Sequence, residues 1–156
     1  MENAKNIGAL KTIQLLHRAL MLGMFIFLVI AFALNYFKLF APDLKEMEKS
    51  IQIIALIASF IGFFIGNTIF KKKLALAREV VNNNVERFAI YRSGCLLQWA
   101  LLEASALLVI ICFMLTGNYS ILALAIVMLL LFSILSPNKI KVQVHLQIPE
   151  EELDKL

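Results

Sequence analysis

Glu103 is the residue whose position most invites chemistry. It stands inside an apolar run, Cys95 to Leu115, that otherwise carries only Gln98 as a strongly polar side chain. On a helix it would lie about 12 Å into that run, at 1.5 Å per residue. A carboxylate there costs up to about 3 kcal/mol on insertion scales, so it is expected to face a bundle interior and meet a partner. His17 and Arg18 on a first helix and Asn67 on a second would enter from the same side, and a pair of Glu103 with His17 or Arg18 is the expected arrangement. Trp99 and Ala106 would share its face by the i±3/4 rule. One reading is a protonatable ion or substrate site. The other is a structural pair, or a carboxylate near the interface with Trp99 marking the headgroup belt.

A second pattern concerns packing. Gly62 and Gly66 form a GxxxG element, and Ala58 extends it by one further step. Ala100 and Ala104 offer the same spacing on the Glu103 run. Small residues let helix backbones approach closely in lipid. Such stripes serve either internal packing or contact with another copy or subunit. Lys71, Lys72 and Lys73 follow the second apolar run directly. They would suit anionic headgroups, or simply fix topology.

Other chemistry is sparse. His17 and His145 are the only histidines, too few for a metal or haem site. Cys95 and Cys112 would sit about 25 Å apart along one helix and cannot bridge. There is no nucleophile elbow, phosphate-cradling glycine loop or zinc-finger spacing. No cofactor, enzymatic activity or nucleic-acid partner is expected.

The elements that must position these residues follow from composition. The chain has 156 residues, 61% hydrophobic and 17% charged, with mean hydropathy +0.83. A soluble domain is nearer half apolar and a quarter charged, and so short a chain cannot bury the excess. Four runs could cross a hydrocarbon core as helices: 19–37, 51–70, 95–115 and 119–135. The first follows a basic flank, but it is too long for a signal segment, and bulky Asn35, Tyr36 and Phe37 stand where a cleavage site would be needed. Lys and Arg number twelve on one set of alternate sides and three on the other. The positive-inside rule then places both termini and the loop 71–94 in the cytoplasm.

The expected fold is all-α: a polytopic four-transmembrane-helix bundle in a single membrane domain, with the second and third helices extended into the cytoplasm. The hairpin 71–94 would turn at Asn82-Asn83-Asn84, with Leu74, Leu76 and Val81 facing Val85, Phe88 and Ile90. Residues 1–18 would prolong the first helix inward, and Pro42 would open a short helix before the second span. Thr116 to Tyr119 would form a tight hairpin. In the tail 136–156, Ile140, Val142, Val144, Leu146 and Ile148 alternate with polar residues. That pattern fits a strand added to a partner, or an irregular or helical segment lying against the cytoplasmic ends of the bundle. Pro149 and the following glutamates would open a short acidic helix.

The run Leu101 to Leu107 around Glu103, the Leu115-Thr116-Gly117-Asn118 turn and the tail Pro137 to Leu146 resemble a group of uncharacterised small four-span membrane proteins of Bacteroidota. The resemblance implies a bacterial inner-membrane location and no established activity. The residues themselves leave two function classes: a non-enzymatic accessory, assembly or interaction subunit of a larger membrane complex, or an oligomeric ion- or proton-coupled transporter or channel working through Glu103.

Overall fold

The computed structural model describes residues 3–40, 44–81 and 83–148. Among them there is no strand. Five helices follow in order: α1 (Asn3–Tyr36), α2 (Glu48–Glu79) after a single 3-10 turn at Lys45–Met47, α3 (Asn84–Thr116), α4 (Tyr119–Ile134) and α5 (Lys139–Leu146). The first helix is one piece from Asn3 to Tyr36. Leu10 to Tyr36 of α1, all of α2 and all of α3 are long and apolar enough to cross a membrane. α4 has only 16 residues, about 24 Å, and passes that test only together with α5, from which a 73° bend separates it. The outward face of α2 carries Phe60 at 62% exposure and Phe64 at 60%, among other large apolar side chains. Contiguous apolar surface on this scale is what lipid covers.

Local chemistry sets the helix ends. The Asn83 side chain accepts from the Glu86 amide at 3.1 Å and donates to the Glu86 carboxylate at 3.2 Å, satisfying amides at the start of α3. Asn118 and Asn138 cap α4 and α5, accepting from the Ser120 and Lys141 amides, each at 2.7 Å. Gly117 ends α3 in the left-handed region (φ 65°), a conformation that costs glycine little. The tight α3–α4 hairpin is as expected.

α3 is the hub. It runs antiparallel to α2, and their approach depends on glycine. A Cβ added at Gly62 would lie 1.9 Å from Ser105 Oγ and 3.0 Å from the Leu101 carbonyl oxygen; one at Gly66 would lie 3.3 Å from the Gln98 carbonyl oxygen. The buried stripe of α2, Ile51, Ala55, Ser59, Gly62, Gly66 and Ala77, recurs every three or four residues. Ala58 is only half-buried beside it. Ala100 and Ala104 are not its partners: both are exposed, because α3 turns Gly94, Gln98, Leu101 and Ser105 toward α2 instead. On the parallel α1, Asn35 Nδ2 donates to the carbonyls of Ala31, Phe113 and Met114, at 3.1, 3.4 and 3.3 Å. This ties the ends of α1 and α3 together. At the same end Asn118 Nδ2 donates to Glu48 at 2.6 Å.

The other end carries α5. The alternating segment is a helix, with Val142 and Leu146 buried and Ile140 and Val144 exposed. Arg78 Nε donates to the His145 carbonyl at 2.7 Å, and Arg87 Nη2 donates to the Leu146 carbonyl. In the α2–α3 hairpin Leu74, Phe88 and Ile90 pack on the core. Leu76, Val81 and Val85 are exposed, since Ala77 takes the inward position. Asn82, Pro42 and the segment after Ile148 lie outside the described residues.

Gly62→Val should lower unfolding stability by about 1–3 kcal/mol through overpacking. Gly23→Val should be close to neutral, because nothing lies within 4 Å of a Cβ built there. Thermal unfolding in detergent measures both.

Candidate functional site

The sequence-selected residues do not converge. His17 is 1% exposed, but it belongs to α4 rather than to Glu103. Its ring stacks on Phe132 with centroids 4.6 Å apart and meets Trp99 edge-on at 4.8 Å. Its Nε2 lies 3.0 Å from the Phe132 carbonyl oxygen. A carbonyl only accepts, so Nε2 carries the proton. That carbonyl is in the last turn of α4, where it also accepts from the Leu135 amide at 3.0 Å. Arg18 is exposed, and Asn67 accepts from Gln98 Nε2 at 3.0 Å. The expected Glu103 pair is therefore not formed among the described residues: His17 and Asn67 have backbone and amide partners, and Arg18 is exposed. Glu103 is half-buried on α3 and has no hydrogen bond or ion pair among the described residues. Trp99 is completely buried, so it marks the core and not a headgroup belt. Its indole Nε1 has no hydrogen-bond partner.

Two surroundings follow. Around Glu103, the exposed Ala100 and Ala104 sit one turn back and one residue on. By helical register α1 runs alongside at this level, and its Gly23 faces open space. This flank of α3 is apolar, with exposed Leu97, Leu108 and Ile111 around the two alanines, and carries one carboxylate.

The second surrounding was not visible in the sequence. Asn67 of α2, Tyr91, Cys95 and Gln98 of α3, and Lys141 and His145 of α5 line a cavity of about 300 Å³ closed by Phe70, Ile134, Leu135 and Pro137. Its volume is in the range of small-ligand sites. Lys141 Nζ donates to the Ile134 carbonyl at 2.6 Å and the Ser136 carbonyl at 3.1 Å, holding the α4–α5 corner. His145 Nδ1 lies 3.3 Å from the Tyr91 hydroxyl. Burial, then the charges of Arg78 and Lys141, hold the His145 imidazole below its ordinary pKa. No carboxylate lines the cavity. The one signal in the sequence was the alternation in the tail; folded as a helix, it puts Lys141 and His145 at i and i+4 on one face.

Cys95 and Cys112 are both free and buried. Lys71 and Lys72 are exposed, whereas Lys73 is half-buried, with its Cβ 2.9 Å from a Cβ built at Gly94. Among the described residues no group of three His, Cys, Asp or Glu side chains could hold a metal ion. No protein-family model, curated protein or solved structure matches the chain.

With no partner to lose, Glu103→Gln should leave the unfolding midpoint unchanged or raise it. His17→Gln, which removes the stacked ring and its bond to α4, should cost about 2 kcal/mol or more. Both are read by thermal unfolding in detergent. A second expectation concerns pH. A base held below its ordinary pKa contributes stability above pH 6.5, and that contribution is lost as pH falls from there through the lowered pKa. Hydrogen exchange over 139–148, taken as the ratio of wild type to His145→Gln at each pH, should therefore rise on acidification from pH 7 to pH 5.

Proposed function

We propose that this chain is a non-enzymatic accessory subunit of a membrane assembly, contacting a transmembrane helix of its partner through the Glu103 flank of α3. The observation that carries this reading is a half-buried carboxylate with no partner among the described residues, in a run that would lie at hydrocarbon depth. Exposed Ala100 and Ala104 beside it allow a second helix to approach closely. The partner helix would supply a cation or a hydrogen-bond donor at that depth.

The location we infer is a bacterial inner membrane, in keeping with the resemblance to small four-span proteins of Bacteroidota, with the α2–α3 turn and both termini in the cytoplasm. The twelve-to-three division of Lys and Arg supports this orientation. So does the gathering of Arg78, Arg87 and Lys141 around α5 at one end of the bundle. The ends of α2 and α3 that carry this cluster would extend past the bilayer. The transporter reading draws on the same lone carboxylate, with a second copy as the partner.

A photo-crosslinking residue at Ala104, compared with one at Ile61 on the outer face of α2, tests the reading in membranes. The expected result is a single foreign adduct at position 104, lost in Glu103→Leu, and none at position 61. An adduct between two copies, together with pH-dependent cation flux in liposomes, would replace the accessory role with the transporter. Equal adducts at both positions would overturn the contact altogether.

A further inference from the structure

The polar cavity does not stand alone. α2 and α4 both pack on α3 and leave a crevice between them. One helical turn along from the cavity, this crevice holds an apolar groove of about 340 Å³, lined by Ser59, Phe60, Phe63 and Phe64 of α2 and by Leu124, Val127, Met128 and Leu131 of α4. The two spaces abut on both walls: Phe63 and Phe64 precede Asn67 and Phe70, and Leu131 precedes Ile134 and Leu135. Phe60, Phe64 and Val127 are exposed, so the groove is open on its outer side. The cavity end carries most of the polar side chains, with Lys141 the one lining cation among the described residues. Lys141 uses two of its three N–H groups on carbonyls, His145 has its Nε2 uncommitted among the described residues, and Arg78 stands close enough to His145 to act on its charge. Among the described residues no carboxylate lines this cavity. A polar end that attracts an anion, continued by an apolar trough one turn away, matches one chemical class: an amphiphile with an anionic head and an acyl chain.

We infer that the α2–α4 crevice is a binding site for an anionic membrane lipid, with its headgroup in the cavity against Lys141 and His145 and an acyl chain along the groove past Phe63 and Val127. The site is independent of the Glu103 flank, which lies on another side of α3. Lys141 is the specificity-determining residue, since its charge rejects a headgroup of zero net charge less well paired to it. The groove supplies apolar contact shared by all lipids, so headgroup preference and total affinity are separable.

Native mass spectrometry of the full chain in detergent, titrated with phosphatidylglycerol or with phosphatidylcholine of the same chains, reads both. Phosphatidylglycerol should bind at least tenfold more tightly. Lys141→Gln should remove that preference, and Lys141→Arg should keep it. Because Lys141 also holds the α4–α5 corner, a second variant is placed away from it. Val127→Trp fills the groove and should weaken both lipids at least fivefold, whereas Leu22→Trp, in the separate groove between α1 and α4, should leave them unchanged. Equal affinity for the two lipids would overturn the inference, as would unaltered binding in a folded Val127→Trp. Inorganic phosphate displacing phosphatidylglycerol at comparable concentration would also overturn it, because the site would then take a free anion and leave the groove unused.

Discussion

The bundle depends on how the short fourth helix ends. α4 spans about 24 Å, less than a hydrocarbon core of about 30 Å. Its last carbonyls lack the usual i+4 amides of a continuing helix, and in an apolar surrounding a carbonyl left unbonded costs several kcal/mol. The chain meets this demand from three directions. His17 reaches the Phe132 carbonyl from α1, Lys141 reaches Ile134 and Ser136 from α5, and the Leu135 and Ser136 amides turn back on Phe132 and Ser133. Gln14 adds a bond at 3.0 Å to the carbonyl of Pro137. These bonds fix where α1 sits against α4 and make the corner from which α5 departs. The cavity at that corner is therefore a consequence of capping: a chain that bends by 73° to finish a short helix leaves space under the bend.

α3 carries the second constraint. It must touch α1, α2 and α4, and it divides its circumference among them. Gly94, Gln98, Leu101 and Ser105 meet α2, where glycines at 62 and 66 allow backbone-to-backbone approach. Trp99 meets His17, which stacks in turn on Phe132, and the Phe113 carbonyl meets Asn35. Gln98 is buried, yet its donor is satisfied across the α2–α3 contact by Asn67. With these faces assigned, the sector holding Ala100 and Ala104 has no neighbour within the chain.

Much of this was legible in the sequence. Continuous apolar runs and their lengths indicated the helices, because a bilayer imposes a length that composition exposes directly. GxxxG marked the side of α2 that packs, although it could not say which residues of α3 would answer it. The Ala100–Ala104 pair matched by spacing alone. Spacing describes one helix, and the rotation of α3 is set by the bulk of Trp99 and Phe113, which have to be buried somewhere. The tail was ambiguous for a specific reason. Alternation places five apolar residues on one face of a strand, but a helix through the same residues keeps Val142 and Leu146 together and sends Ile140 and Val144 to the opposite side. Without a strand to pair with, and with arginines on α2 and α3 ready to take the last carbonyls, the helix prevails at the expense of two exposed side chains. His17 misled for a related reason. Its partner is a backbone carbonyl at the end of another helix, and sequence does not display which carbonyls a fold will leave unserved.

Polar groups within the apolar runs then sort into two kinds. His17, Asn35, Ser59, Asn67, Gln98 and Ser105 each have a hydrogen bond, and in most of them one partner is a main-chain carbonyl. Such groups are neutral when bonded, and a carbonyl one turn back or across a helix contact is enough for them. A carboxylate cannot use that solution, since carbonyls only accept and the ionised group has nothing to donate. Glu103 needs a donor, and the donors facing the bundle interior that the sequence offered are committed elsewhere: Gln98 to Asn67, His17 to α4, Asn35 to the ends of α1 and α3 and Lys141 to the corner. The Trp99 indole is uncommitted but sealed inside the core. Among the described residues no donor reaches Glu103, and a neighbouring helix, a second copy or the lipid interface could each supply one.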